Sequence, residues 1–362
     1  MKEKVNKNIL NVTPYQPGKP IDEVLRELGL KDVIKLASNE NPYPPSPKVI
    51  AAISEAALEV NRYPDSGCFY LRRELAKHLN VSEGHLIFGN GTDEVIVMVI
   101  RAFIEQGDEI VIAQPTFMVY SIAGNIVGAK IKTVPLIDFD YDLEGMAKAV
   151  TDKTKIVFIA NPDNPAGTYV NKDQLRKFLD TIRKDIVVFM DEAYYEFVYE
   201  NDYPDSLALQ KEYPNLFVSR TFSKSYGLAG LRVGYGIATK EIIDLINQVR
   251  EPFNVNSIAQ VAALACLKDQ EYYDDILKKN EEQRQFLYKS LEETGLSCRK
   301  TYTNFILVDV ADKKDIAQLL LEKGIIIRRM KAWGLDQYIR ITIGTPEENK
   351  RCVKTIKDIL EI

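Results

Sequence analysis

The sequence has few of the residues that build metal sites, disulfide frameworks and catalytic triads. Its 362 residues include two histidines and four cysteines, and the cysteines lie far apart with no CxxC pair. We therefore predict no metal site and no disulfide framework. Neither histidine accompanies a GxSxG serine or a cysteine in a recognisable catalytic setting, which argues against a hydrolase of the triad type.

The chain also lacks an excess of basic residues and a long apolar run. Lys and Arg total 47 against 52 Asp and Glu, for a net charge of -5 and a pI near 5.4. Such a balance gives no basic field for nucleic acid. The most apolar windows are interrupted by charge before they could span a bilayer, and the first residues lack the apolar core of a signal peptide. We expect a soluble, cytoplasmic protein that acts on small molecules and binds neither nucleic acid nor membranes.

From about residue 85 to residue 250, short β-branched runs alternate with segments of helical period. This alternation is typical of an α/β fold, in which helices cover both faces of a mostly parallel sheet. After residue 256 the pattern changes to a charged helical stretch over residues 269 to 295, then TNFILVDV, a helix, GIIIRR and QYIRITIG. That order favours a smaller α+β domain. The N-terminal arm is rich in Pro and Asn, and we expect it to be irregular and to lie across one of the domains.

Ligands of open α/β sheets bind beyond the carboxyl ends of the strands. The segments at those positions share polar and glycine-rich chemistry, and they are GNGTDE, QPTFMVY, NPDNPAG, DEAYYE and RTFSKSYGLAGLR. GNGTDE opens a long helix, so the backbone N–H groups at Gly91, Thr92 and Asp93 could hold a phosphate. A glycine turn with an ordinary helix cap would explain the same letters.

Two further segments supply an acid and an amine. Asp191 leaves a buried strand and could face a cationic ring nitrogen, with Tyr194 reaching a phenolic oxygen of the same ring. Lys224, among hydroxyls and near Arg232, could act as an amine nucleophile toward an aldehyde. Thr221, Ser223 and Arg232 suit a dianionic phosphate. Together these groups describe a pocket for pyridoxal 5'-phosphate, although each alone could be a cap, a turn or a solvated charge.

At these residues the chain resembles the histidinol-phosphate aminotransferase family, within the fold type I enzymes that depend on pyridoxal 5'-phosphate. The resemblance runs nearly end to end, through PYQPGKP, KLASNENP, NRYPD, GNGTDE, PTF, NPDNPAG, DEAY, TFSKSYGLAGLRVGY, GIIIRR and YIRITIGTPEEN. It implies a large domain with a seven-stranded, mostly parallel sheet between helices and a smaller α+β domain. We predict an N-terminal arm over residues 1–44 that joins the small domain, a large cofactor domain over 45–255 and a small domain over 256–362.

The resemblance also assigns cofactor residues by position. Lys224 looks like the lysine that bonds to the cofactor, Asp191 like the partner of the ring nitrogen, and Tyr194 and Asn164 like the residues that hold the ring oxygen. Phe117 would stack on the ring. The phosphate would be held by residues on three segments, namely Gly91, Thr92, Asp93, Thr221, Ser223, Arg232 and Tyr63. In this family the tyrosine of NRYPD reaches the neighbouring subunit, so a homodimer with shared sites is implied.

For substrates, Arg340 resembles an arginine that pairs with a carboxylate and Arg328 one that binds the phosphate of histidinol phosphate. Asn164 would also touch substrate, and Tyr15 resembles a tyrosine of the closing arm. The implied reaction is transamination between L-histidinol phosphate and 2-oxoglutarate, giving imidazole acetol phosphate and glutamate in histidine biosynthesis. Arg328 and Arg329 could instead be solvated charges at the edge of a strand.

Departures from the family pattern put the amino donor in doubt and leave the cofactor pocket intact. They are Asp163 and Ala166 in the proline loop NPDNPAG, Tyr43 and Pro44 after NENP, and the segment RMKAWGLDQ after Arg328. Alternatives are an aromatic amino-acid aminotransferase, a threonine-phosphate decarboxylase, and a non-catalytic homologue. A ligand-sensing transcription regulator would need a DNA-binding module, for which we expect no room before residue 13.

Overall fold

A computed structural model describes residues 3–15, 18–311 and 315–362. Gln16 and Pro17 of the PYQPGKP motif lie outside the described residues. The strands are β1 Ile34–Leu36, β2 Leu86–Gly89, β3 Glu109–Gln114, β4 Lys130–Pro135, β5 Thr154–Ala160, β6 Val187–Asp191, β7 Leu216–Thr221, β8 Gly234–Ile237, β9 Ser297–Cys298, β10 Phe305–Asp309, β11 Ile325–Arg329 and β12 Tyr338–Thr342.

Helices precede, separate and follow the strands along the chain. They are α1 Ile21–Leu28, α2 Pro47–Ala56, α3 Phe69–Leu79, α4 Thr92–Phe103, α5 Val119–Val127, α6 Leu143–Ala149, α7 Lys172–Thr181, α8 Ser206–Leu209, α9 Lys240–Asn247, α10 Ser257–Leu267, α11 Gln270–Glu292, α12 Ile316–Glu322 and α13 Pro346–Leu360. Local sequence explains several starts: Asn171 and Gln174 form a capping box at α7, and Thr345 and Glu348 form one at α13.

Seven strands form the large sheet in the order β2-β8-β7-β6-β5-β3-β4. Strands β3 to β7 pair in parallel, and β8 is antiparallel to both of its neighbours. The central strands are buried on both faces, which requires apolar residues at successive positions. In β5, for example, Ile156 and Phe158 enter one hydrophobic cluster while Val157 and Ile159 enter the other. The predicted α/β fold with a mostly parallel seven-stranded sheet is confirmed.

A second sheet of five strands has the order β1-β11-β12-β10-β9. Its core is shared with α11, α12 and α13, and it includes Leu36 of β1. The arm is therefore more regular than predicted, because residues 34–36 pair in parallel with β11. Backbone pairing with a strand almost 300 residues later could not be read from a local pattern.

Helix α10 packs on the large-sheet side, although the predicted small domain begins at residue 256. Ala259, Ala263 and Cys266 of this helix share a cluster with residues of α2 and α3, among them Val49 and Leu71. The division into arm, large domain and small domain at the predicted boundaries stays a prediction. Among the described residues, we find no helix that is both long and apolar enough to cross a membrane.

Candidate active site

A cavity of about 370 Å³ opens at the carboxyl ends of the parallel strands, a size typical of a small-ligand pocket. Segments that follow β3, β5, β6 and β7 supply its walls, together with the first turn of α4. The structure brings together most of the predicted site residues in this lining, namely Tyr15, Thr92, Asp93, Phe117, Asn164, Asp191, Tyr194, Thr221, Ser223, Lys224 and Arg232. The cavity therefore lies where the sequence predicted it, beyond the carboxyl ends of the parallel strands.

Asp191 is the last residue of β6 and is 5 % exposed. Its Oδ2 accepts a hydrogen bond of 2.7 Å from the Tyr120 hydroxyl, and its Oδ1 accepts bonds from the Ala193 N–H at 3.2 Å and the Ser219 hydroxyl at 3.3 Å. Burial raises the pKa of this carboxyl to about 6, against the lowering effect of those donors. A buried carboxylate in this setting calls for a cationic partner from a ligand.

Tyr194 and Lys224 both line the cavity and lie close together. The Tyr194 hydroxyl accepts from the side-chain amides of Asn39 at 2.9 Å and Asn164 at 3.4 Å. The Nζ of Lys224 lies 5.4 Å from the centre of the Tyr194 ring and donates to the carbonyl oxygen of Asn39 at 3.4 Å. The amine is thus held beside a phenol that is itself fixed by two amides.

The start of α4 forms the anion end of the cavity together with Thr221, Ser223 and Arg232. Gly91 has a φ of +81°, and α4 begins at the next residue, so the free N–H groups of its first turn point at the cavity end. Arg232 pairs with Asp93 at 3.2 Å and lies so close to Gly91 that a Cβ there would collide with its guanidinium. Thr221 and Ser223 complete the set with buried hydroxyls.

This donor set fits pyridoxal 5'-phosphate, the cofactor predicted from the sequence. The buried acid suits the ring nitrogen, the phenol and amide suit the ring oxygen, and the helix start with its arginine suits the phosphate. The missing Cβ at Gly91 lets the Arg232 guanidinium pack directly against the start of α4, which is the observation that most directly favours a phosphate there.

Comparison with known proteins agrees with this geometry. The sequence pattern of the family described as aminotransferase class I and II matches residues 31–356. The chain belongs to the class I and II aminotransferases. Two histidinol-phosphate aminotransferases resemble it over nearly their whole length. That of Moorella thermoacetica is 47 % identical over 359 residues, covering 99 % of this chain and 93 % of the relative. That of Brevibacillus brevis is 48 % identical over 353 residues, covering 97 % of each.

A solved structure gives the same result for the fold of this aminotransferase. The histidinol-phosphate aminotransferase of Sinorhizobium meliloti, solved in complex with pyridoxal-5'-phosphate, superposes with a TM-score of 0.91. It is 29 % identical, and the alignment covers 99 % of this chain and 98 % of that one. The resemblance inferred from the sequence motifs is therefore confirmed at the level of the family.

The two predicted substrate arginines of the aminotransferase lie just behind the cavity lining. Arg340 donates to the side-chain oxygen of Asn164, which lines the cavity. Its Nε is buried without a hydrogen-bond partner in the part of the chain that the structure describes. Arg328 lies 5.9 Å from the centre of the Tyr15 ring. Both arginines thus contact residues of the cavity wall, and their substrate roles stay predictions.

Tyr63 is a predicted site residue that the structure places away from this cavity. It is 83 % exposed and stacks on Phe253, with ring centres 4.7 Å apart. It is not part of the cavity lining, which includes Thr92, Asp93, Thr221, Ser223 and Arg232. Its predicted role requires a second chain.

Two residues that hold the site together were not predicted from the sequence. Tyr120 donates to Asp191, and Asn39 donates to Tyr194 while its backbone carbonyl accepts from Lys224. Both stand in segments already singled out, Asn39 in KLASNENP and Tyr120 in QPTFMVY. A polar residue inside such a segment was the available signal for each.

The departure at Asp163 is accommodated by a buried network. This carboxylate accepts from the Thr116 hydroxyl at 2.8 Å, the Tyr141 hydroxyl at 3.0 Å and the Ala166 N–H at 3.0 Å. Burial raises its pKa to about 6. The network fixes the loop that presents Asn164 to the cavity.

Proposed function

We propose that this aminotransferase uses pyridoxal 5'-phosphate to transfer an amino group between L-histidinol phosphate and 2-oxoglutarate, giving imidazole acetol phosphate and glutamate. The observation that carries the proposal is the single cavity that Lys224, Asp191 and the start of α4 face together. The names of the relatives at 47 % and 48 % identity support the choice of amino donor. The reaction belongs to histidine biosynthesis.

Each side chain has a distinct task in this scheme. When bound, the cofactor supplies an electron sink that makes the Cα–H of the substrate acidic. Asp191 keeps the ring nitrogen protonated, and Tyr194 with Asn164 holds the ring oxygen. Lys224 Nζ takes the proton from Cα as a general base and returns it as an acid. Phe117 covers the ring.

The arginines must serve two different substrates. A phosphate donor and an acceptor with two carboxylates enter the same site in turn, and planar guanidinium forks suit both anions. We assign Arg328 to the phosphate of the donor, with Arg340 as a second donor to it, and Arg340 to a carboxylate of 2-oxoglutarate. Tyr15 closes the outer side of the cavity.

The test follows the visible absorbance of the bound cofactor in the purified holoenzyme without 2-oxoglutarate. L-histidinol phosphate is expected to convert the cofactor to its amine form at a far lower concentration than L-phenylalanine. Adding 2-oxoglutarate should then restore the spectrum and release glutamate. A response to phenylalanine alone would instead indicate an aromatic aminotransferase. The inactive control is Lys224→Ala, which lacks the reacting amine.

The proposal includes a homodimer with shared sites. Around Tyr63 the surface exposes Leu58 at 84 %, Tyr70 at 74 % and Phe69 at 53 %. So many large exposed apolar side chains in one stretch are typical of a protein interface. A second copy seated there would carry Tyr63 of each chain to the phosphate end of the other chain's cavity.

Mixing two impaired variants tests this arrangement. Tyr63→Ala leaves its own Lys224 intact, and Lys224→Ala leaves its own Tyr63 intact, so a hybrid dimer contains one complete site. Statistical exchange of subunits should restore about a quarter of wild-type activity. If both variants form dimers, exchange subunits and gain nothing on mixing, Tyr63 acts within its own chain and the shared site is wrong.

The proposal also includes a cytoplasmic location. All four cysteines are unpaired, and three of them are buried. Unpaired thiols suit a compartment that keeps thiols reduced. Fractionation of the source cells with an antibody to the chain would check this location.

A further inference from the structure

Trp333 lies between the small sheet and the cofactor cavity, and it is the single tryptophan of the chain. It ends the short turn Lys331–Trp333 that follows β11, and it is 7 % exposed. Its cluster joins Leu307, Met330 and Tyr338 of the small sheet region to Met118, which precedes α5 of the large sheet. The side chain is therefore a contact between the two sheets.

Both predicted substrate arginines lie against this one indole. The Cζ atoms of Arg328 and Arg340 are 5.1 and 5.7 Å from its ring centre. The two arginines are direct partners across the antiparallel pair of β11 and β12, where like charges repel each other. An indole face attracts a guanidinium, so Trp333 offsets that repulsion for both. Burial, with a further contribution from Arg328, lowers the pKa of Arg340 to about 10.

Hydrogen bonds tie the indole to the large-sheet side of the site. Trp333 Nε1–H donates to the carbonyl oxygen of Thr116 at 3.1 Å, and the Thr116 hydroxyl donates to Asp163 at 2.8 Å. The next residue, Asn164, accepts from Arg340. The contacts thus form a closed ring from Trp333 through the proline loop to Arg340 and back to the indole.

We propose that Trp333 is a positioning residue that sets the spacing of Arg328 and Arg340, and that this spacing selects an amino donor bearing a phosphate over one bearing a single carboxylate. This inference rests on the proposed function. A phosphate dianion has enough oxygens to accept from two guanidinium forks at once, whereas one carboxylate saturates one fork. Loss of the shared indole should therefore weaken binding of the phosphate-bearing amino donor more than binding of the carboxylate-bearing one.

Three variants of the holoenzyme separate the effect of the indole ring from the effects of its N–H group and of packing in the same cluster. Trp333→Leu removes the ring from both arginines, and KM for L-histidinol phosphate should rise roughly tenfold or more, with kcat within about twofold of wild type. The ratio of kcat/KM for histidinol phosphate to that for phenylalanine should fall by a similar factor. Trp333→Phe keeps a ring and loses the Nε1–H, so its KM should rise only about threefold. Met330→Ala truncates a buried neighbour in the same cluster without removing the indole, and KM should stay near wild type.

The alternatives give different results. Equal increases in KM for Met330→Ala and Trp333→Leu would mean that Trp333 only fills space, and equal increases for Trp333→Phe and Trp333→Leu would mean that the ring is not what matters. A loss confined to kcat would also overturn the proposal.

A fluorescence titration keeps this inference separate from the proposed function. Emission from Trp333 in the holoenzyme should change saturably with inorganic phosphate, and the change should be lost in Arg328→Gln. If histidinol phosphate is not a substrate but this response is present, the proposed function fails while the arginine spacing stands. If phosphate leaves the emission unchanged, the spacing role is wrong.

Discussion

Ionisation of Asp191 should make the cofactor-free protein less stable as pH rises. The carboxyl is 5 % exposed at the end of β6, and burial raises its pKa from the ordinary 3.8 to about 6. Below the ordinary value it is neutral in both the folded and the unfolded chain. Between the two values the unfolded chain releases the proton and the folded chain keeps it, so stability falls with rising pH. The loss levels off about one unit above the raised pKa, where the carboxyl is ionised in both states.

The size of the loss follows from the two pKa values. A rise from 3.8 to about 6 corresponds to roughly 3 kcal/mol in the free energy of unfolding, and about half of it accumulates between about pH 5 and about pH 8. Asp191→Asn has nearly the same shape and does not ionise. Its stability relative to wild type should therefore improve by about half of that amount across that interval. A bound cofactor with a protonated ring nitrogen should remove this difference, because it gives the carboxylate a cationic partner.

Denaturant unfolding of the cofactor-free proteins at several pH values measures the effect. Asp336→Asn, which changes an exposed carboxylate, is the matched control and should parallel wild type. Any hydrogen bond that the asparagine makes differently shifts its curve by a constant amount, so the slope against pH is the quantity to compare. Parallel curves for wild type and Asp191→Asn would refute the reasoning, as would a steeper loss of stability in the variant.

Two further substitutions test the ends of the cavity. Gly91→Ala combines a positive φ with a collision at Arg232, so the dissociation constant of the cofactor should rise at least roughly tenfold. Gly295 also has a positive φ but has open space around it, so Gly295→Ala is the matched control. It should lower stability without lowering the cofactor affinity measured by absorbance titration. Equal cofactor affinities for the two variants would contradict the predicted collision with Arg232. Tyr120→Phe removes a donor from Asp191 and should raise the carboxyl's pKa above about 6. Because binding uses the ionised acid, the pH midpoint of cofactor affinity should move upward, and a midpoint that stays or falls would count against this role.

Local patterns predicted the large sheet and the place of the site for identifiable reasons. Central parallel strands are buried on both faces, so a run such as KIVFIA in β5 stands out from its polar surroundings. Residues at the carboxyl ends of such runs meet at one edge of the sheet, which is why Asn164, Asp191 and Lys224 could be grouped from the sequence alone.

Partners that are distant in sequence escaped the same reasoning. Tyr120 bonds to Asp191 across 71 residues, and Asn39 bonds to Tyr194 across 155. Neither pair leaves a periodic trace in the chain, because a hydrogen bond depends on where two segments meet and not on their composition. The stacking of both arginines on Trp333 was missed for the same reason, although its segment had been singled out.

The pairing of β1 with β11 bears on the order in which the chain can fold during its synthesis. Every strand of the seven-stranded sheet has been made once residue 237 has been added, so that sheet can form while the C-terminal third is still being made. Strand β1 is synthesised long before that sheet is complete. It cannot pair until its partners, residues 325–327, have also been synthesised. The first strand of the chain is thus among the last to be paired, and until then residues 34–36 present an unpaired backbone edge that a chaperone or another nascent chain could engage.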